Sequence, residues 1–203
     1  MNMLTIKSTL IYRLVILSGG LSLSAFTLAE EPMSMAVSVG QSQTNVPQNR
    51  VDMTDVDDTD SSWSLEFGYQ LEKISIRVGY VDLGEASVEL NTESYIPKAY
   101  HEQVKAFAPI LTEGWTLGVE VPIYQYEQWF LAGQTGFLFW DNEIISQINT
   151  GERLTTNING TDLYFGATAS YKISKSWLVG IQYRNYMLDE SVSDVAIKVN
   201  YQF

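Results

Sequence analysis

Apolar and polar residues alternate one by one along most of this chain. The last nine positions show the pattern most cleanly. Val195, Ile197, Val199, Tyr201 and Phe203 fall on one face, and Ala196, Lys198, Asn200 and Gln202 fall on the other. A period of two over that length specifies a β-strand with one apolar and one polar face. The same alternation, read with the intervening turn residues, predicts strands at 33–43, 62–71, 74–80, 115–121, 129–140, 162–173, 177–188 and 195–203. In the second of these, Trp63, Leu65, Phe67, Tyr69 and Leu71 share one face, against Ser64, Glu66, Gly68 and Gln70. An unpaired terminal strand of this kind is a sticky edge, and closing the sheet into a barrel removes it. The fold class is therefore all-β, an eight-stranded antiparallel barrel.

The connections alternate in length. Short turns follow the second, fourth and sixth strands, at Glu72-Lys73, near 124–128, and at Ser174-Lys175-Ser176. Long segments follow the first, third and fifth, at 44–61, 89–114 and 142–161, and a shorter one lies at 189–193. Transmembrane barrels have short periplasmic turns and longer external loops, which sets the direction of the strands and puts both termini in the periplasm. Trp63, Trp115 and Trp140 then fall at the outer ends of their strands, and Trp129, Trp177 and Phe203 at the periplasmic ends. Tryptophan favours the headgroup level, where its ring is buried and its N–H stays wet.

Composition and charge sharpen this picture. Residues 1–29 read as a secretory signal peptide, with Lys7 and Arg13 before an apolar stretch and Thr27-Leu28-Ala29 before Glu30. Residues 30–203 are then one barrel domain. There is no cysteine, which excludes a disulfide framework or a thiolate metal site. The formal charge of −12 becomes −14 once the two leader cations are removed. So acidic a chain does not bind nucleic acid, because phosphate contacts need a cationic surface.

Several segments resemble the small eight-stranded outer-membrane barrels related to the transmembrane domain of outer membrane protein A and to outer membrane protein X. The carriers are Val37-Ser38-Val39-Gly40-Gln41-Ser42, Gly79-Tyr80-Val81-Asp82-Leu83-Gly84-Glu85, Phe137-Leu138-Phe139-Trp140-Asp141, Gly160-Thr161-Asp162-Leu163-Tyr164-Phe165-Gly166 and Tyr201-Gln202-Phe203. The resemblance covers essentially all of 30–203. It implies an outer-membrane location in a Gram-negative bacterium and contact with outer-membrane lipid and lipopolysaccharide. The final Val199, Tyr201 and Phe203 are similar to the signal that the barrel-assembly machinery reads. Outer membrane protein A carries a periplasmic peptidoglycan-binding domain after its barrel. This chain ends at the barrel, so a cell-wall tether is not expected.

Three regions are candidates for chemistry. By alternation, Glu66, Arg77, Glu120, Gln134, Lys172, Gln182, Arg184 and Lys198 face inward. An eight-stranded barrel is only wide enough for side chains to fill it, so these charges must pair. Glu66 and Arg77 flank one turn and are the expected neighbours. The result is a packed polar plug, or a narrow path gated by exchange of partners. The first long loop carries Asp52, Asp55, Asp57, Asp58 and Asp60. Carboxylates suit Ca²⁺, but the loop lacks the glycine and final glutamate of an EF-hand, so no resident metal or cofactor is expected. Segment 95–113 has Pro97 and Pro109 near its ends, which argue against one continuous helix or central strand, and an apolar run that is an adhesive surface or packs on the rim. His101 is the sole histidine and has no serine nearby in sequence; Ser87 is an arbitrary partner. The leading expectation is a monomeric structural or surface-interaction protein, contacting a host or cell surface through its loops. A low-conductance channel is the alternative and a lipid-modifying enzyme the third.

Overall fold

The computed structural model describes residues 33–45, 53–90, 98, 101–102, 111–147 and 153–203. The leader expected at 1–29 and most of segment 95–113 lie outside the described residues. Among the described residues there are ten strands: β1 (Met33–Thr44), β2 (Met53–Asp57), β3 (Thr59–Gln70), β4 (Ser75–Asp82), β5 (Ser87–Leu90), β6 (Glu113–Tyr126), β7 (Trp129–Gln147), β8 (Arg153–Lys172), β9 (Trp177–Tyr186) and β10 (Val192–Gln202). Eight of them form a closed barrel in the order β1-β10-β9-β8-β7-β6-β4-β3. β2 and β5 pair antiparallel in a separate two-stranded sheet that alternation did not predict.

The first and last strands close the barrel. Val37 lies opposite Val199, and Val39 opposite Ile197. On its other side β1 pairs with β3, Val37 opposite Leu65. The closed wall leaves no free edge strand in its central band, which is the condition for β structure in lipid. The predicted faces hold. Val37, Val39, Phe67, Val78, Leu117, Phe137, Phe165, Ile181 and Ile197 point outward and are exposed, whereas Glu66, Arg77, Gln182, Arg184 and Lys198 are buried in the lumen. An apolar exterior around a polar interior is the inverse of a soluble barrel, and it identifies lipid as the surrounding medium.

Two strands run further than the pattern suggested. β7 and β8 have 19 and 20 residues, where about ten suffice to cross a bilayer. Asp141-Asn142-Glu143 breaks the apolar rhythm, so the expected strand stopped at Trp140. The pairing nevertheless continues through Asn142↔Ile158 and Ile144↔Thr156 to Gln147↔Arg153. The extra length forms a hairpin beyond the lipid-facing band. β6 also passes the proline at which the expected strand stopped. β4 pairing ends at Glu120, so no β4 partner needs the N–H that Pro122 lacks, and a bulge between Pro122 and Tyr124 absorbs the irregularity.

One loop conformation is set by glycine. Gly84 has φ of +85°, and a Cβ there would come within 2.5 Å of Asp60 Oδ2. That same carboxylate oxygen accepts from the Glu85 amide at 2.7 Å, tying the chain after β4 to the base of β3.

Candidate functional site

The lumen has three levels. The middle one is an ionic belt. Glu66 lies on β3 and is almost fully buried. One of its oxygens accepts from the Arg184 guanidinium on β9, and the other from Lys198 Nζ on β10 at 2.7 Å. Arg77 on β4 pairs with Glu120 on β6. Lys198 also lies 3.9 Å from Glu120, which joins the two groups. Amides fill the remaining positions. Gln134 Nε2 donates to Glu120 Oε2 at 2.5 Å, and its Oε1 accepts from Arg184 Nε at 3.1 Å. Gln182 turned with its oxygen toward the cations accepts from Arg184 and Lys198, both at 3.1 Å. A buried charge is tolerable only when paired and hydrogen-bonded, and here both carboxylates are.

The structure brings Glu66, Arg77, Glu120, Arg184 and Lys198 together, in pairs other than the expected one. Glu66 does not take Arg77, its expected neighbour across the turn. The register sets Glu66 opposite Gly79, and Arg77 opposite Gly68. A Cβ on Gly79 would lie 2.9 Å from Glu66 Cγ, so the glycine makes room for the glutamate to reach across the lumen instead. Lys172, expected in the network, sits at the periplasmic end of β8 and among the described residues joins none of these ion pairs.

The outer level is apolar. Val81, Leu138, Tyr164, Tyr186 and Val192 come from the strands, and Leu83, Ala86, Leu111 and Leu188 from the connections, to form one buried cluster. The Arg184 guanidinium carbon lies 5.3 Å from the centre of the Tyr164 ring, so the belt and the plug are in direct contact. A Cβ on Gly118 would lie 2.3 Å from the Tyr164 hydroxyl, which explains the small residue across from that ring. Trp140 shares the inward face of Gln134 and Leu138, six and two residues before it. It packs against this cluster and donates its Nε1–H to Asp162 Oδ2 at 2.6 Å. Trp63 and Trp115 do face outward and flank Tyr80, with centroids 5.8 and 5.4 Å away. At the other end Trp177, Tyr201 and Phe203 touch in succession, Tyr201 meeting Phe203 edge to face.

The periplasmic level is open. A cavity of 590 Å³ runs from the belt to the strand ends, where Gln70, Lys175 and Phe203 border it. The lumen is therefore a vestibule with a ceiling.

The remaining candidates lie at the outer end. Asp58 Oδ1 accepts from the Thr59 hydroxyl at 3.0 Å, and Asp60 holds the Gly84-Glu85 turn. Asp57 is exposed on β2, and the side chain of Asp55 lies outside the described residues. Among the described residues no group of three or more His, Cys, Asp or Glu side chains could hold a metal ion. His101 has a serine partner that sequence proximity could not reveal. Its Nδ1 is 2.7 Å from Ser146 Oγ, and its Nε2 is 2.7 Å from Thr156 Oγ1. Ser146 is on β7 and Thr156 on β8, so the histidine bridges both strands of the projecting hairpin. Ser146 is 2% exposed, and neither it nor His101 lines the vestibule or the second cavity, near Asp141. With both ring nitrogens engaged by hydroxyls, the geometry is that of a clasp. It fixes His101 of segment 95–113 against the hairpin.

No family model and no curated protein matches the sequence. Solved structures do. The attachment invasion locus protein Ail of Yersinia pestis is similar with a TM-score of 0.52 and 14% identity, over 86% of this chain and 100% of that one. The N-terminal β-barrel domain of Pseudomonas aeruginosa OprF gives a TM-score of 0.50 at 10% identity, over 85% and 98%. OprG, an outer membrane protein of the same organism, gives 0.50 at 9% identity, over 86% and 99%. At these identities the likeness is one of fold. The fold is that of the small eight-stranded barrels of the bacterial outer membrane.

Proposed function

We propose that this outer-membrane barrel is an anchor for a surface-interaction module, and that its lumen does not conduct. The observation that carries the reading is the projecting hairpin. β7 and β8 continue beyond the lipid-facing band, clasped by His101, while the lumen beneath is closed by an ionic belt and an apolar plug in series. Rigid structure built beyond the membrane serves no transmembrane purpose, and a filled lumen serves no transport purpose. Fold alone does not assign the role. The scaffold is compatible with it, since the Yersinia protein named for attachment shares that fold. Catalysis is not part of this proposal, because the buried Ser146 offers no substrate access.

Two measurements test it. Wild-type barrel refolded into planar bilayers is expected to show no discrete openings; openings in the wild type would favour the channel reading. Replacing residues 144–156 by a short turn should leave insertion and heat-modifiable folding unchanged while abolishing adhesion of expressing cells to a host-cell layer. Adhesion that persists at the wild-type level would remove the hairpin from the function.

The proposal includes insertion by the barrel-assembly machinery through Val199, Tyr201 and Phe203, as a monomer in contact with lipopolysaccharide. Phe203 is exposed, and its amide donates to Met33 O at 3.0 Å across the closing seam. Deleting Phe203 should lower the folded, heat-modifiable fraction in outer membranes several-fold without changing export to the periplasm. An unchanged folded fraction would dismiss it as a signal.

A further inference from the structure

β8 outruns its neighbour. Its lower part pairs with β9 from Lys172↔Leu178 to Tyr164↔Tyr186, and the Met187 amide donates to Leu163 O at 2.8 Å. There the chain after β9 leaves the wall and buries Leu188 in the plug. Above that point, from Asp162 to Arg153, β8 pairs with β7 alone among the described residues. Backbone groups along a strand point to alternate sides. Leu163 turns its carbonyl toward β9, so Thr161, Asn159, Asn157 and Thr155 turn their carbonyls and N–H groups to the vacated side. Among the described residues none of these groups has a backbone partner there. All four side chains are exposed. The edge also lacks the usual protection against pairing. Residues 154–161 hold no charge and no proline, and their register with β7 has no bulge.

The surroundings are acidic. Of the 24 carboxylates and 12 cations in the chain, 18 carboxylates and only 4 cations fall on or between the outer strand ends, at 44–61, 82–113, 141–162 and 187–194. Asp189 is exposed where the chain leaves the edge, and Asp141 is exposed on β7 opposite Asn159. A second copy of this chain would bring the same acidity to the contact. In the same membrane its β8 would also run in the same direction, which forbids antiparallel pairing of the two edges.

We infer that the β8 edge takes up a basic, extended peptide segment as an added strand, antiparallel to β8. The peptide occupies the line that β9 vacates and runs outward as β9 does. Its N-terminal end then lies beside Asp189, and its basic residues belong there. Its side chains alternate, polar beside the exposed Asn157 and Asn159, apolar beside the half-buried Leu154 and Ile158 of the opposite face. Main-chain hydrogen bonds supply affinity, and the surrounding carboxylates select the partner. The inference rests on the reading of the projecting hairpin as the interaction module and adds how it takes hold.

The test is a titration of the refolded full barrel in uncharged detergent micelles, read by amide hydrogen exchange. The probes are the peptide Lys-Lys-Thr-Val-Thr-Val-Thr-Val, the same residues in reverse order, and a version beginning Glu-Glu. With the first peptide, exchange at Thr155, Asn157, Asn159 and Thr161 should slow at least tenfold, while Thr156 and Ile158, whose amides face β7, stay unchanged. The other two peptides should bind at least tenfold more weakly. Asn157→Pro removes a donor on the open side, where proline is tolerated, and should weaken binding at least tenfold. Asp189→Lys should do the same, and its exposed position decides the question even where Asn157→Pro fails to fold. Wild-type affinity in either variant, or equal slowing at odd and even positions, overturns the inference. Equal binding of the Glu-Glu peptide overturns the basic partner. Slow exchange at the odd positions without peptide, in a species of dimer mass, would give the edge to a second copy instead. Cells carrying Asn157→Pro that adhere normally, where replacement of residues 144–156 abolishes adhesion, would refute the edge and leave the hairpin its role; normal adhesion in both would remove that role as well.

Discussion

At the level of Glu66 the lumen is filled by charges and amides; one turn of the wall further out, at Leu138 and Tyr164, it is filled by aliphatic chains and rings. Both levels close the same narrow tube, but they depend on different physics. The belt is held by specific partners, and a missing member leaves an opposite charge buried without compensation. The plug is held by volume, and a missing member leaves a cavity whose cost depends on how far its neighbours relax. The difference teaches that the belt specifies the register of the barrel, whereas the plug fills whatever space that register leaves. Glu66 draws on β9 and β10 from β3, so a slipped strand would separate the partners.

The sharpest way to break the comparison is to remove one charge. Arg184→Leu should destabilise the barrel by about 3–5 kcal/mol in urea unfolding, because Glu66 keeps only Lys198. Adding Glu66→Gln should restore part of that loss; simple additivity of the two changes would refute a specific pair. Leu138→Ala comes next, with an expected cost of about 2–4 kcal/mol from a cavity in the plug. Neither single variant should conduct, since belt and plug lie in series, and only the combination of Arg184→Leu and Leu138→Ala should show openings in a planar bilayer. Conductance in Leu138→Ala alone would mean that the belt is leaky. Trp140→Phe keeps the ring in the plug and removes its N–H from Asp162, for an expected loss of about 1 kcal/mol. The smallest effect belongs to the exposed outer surface. Asp141→Asn should change unfolding free energy by less than about 0.5 kcal/mol, as surface changes usually do. A larger stabilisation would show that the row Asp82, Glu113 and Asp141, set opposite one another across β4, β6 and β7, is strained by like charge.

The outer hairpin and the barrel wall differ in how far they could be read from the chain. In the wall, lipid on one side and a polar lumen on the other impose strict alternation, and Trp63-Ser64-Leu65-Glu66-Phe67 carries both the strand and its facing. Beyond the membrane that contrast disappears. Asp141-Asn142-Glu143-Ile144-Ile145-Ser146 has no period of two, so only the cross-strand pairing to 154–159 reveals the strand. The β2–β5 sheet escaped because its strands are only 5 and 4 residues long, too short for alternation to stand out.

By itself, the sequence determined the eight strands of the barrel wall, their lipid-facing surface and most of the inward charges, because each of these follows from local alternation; Asp194, buried in the lumen against Ser62, escaped it. Only the tertiary structure decided the partners. Glu66 with Arg184 and His101 with Ser146 are separated by 118 and 45 residues. Their meeting depends on how eight strands shear as the barrel closes, a global quantity that no local window contains.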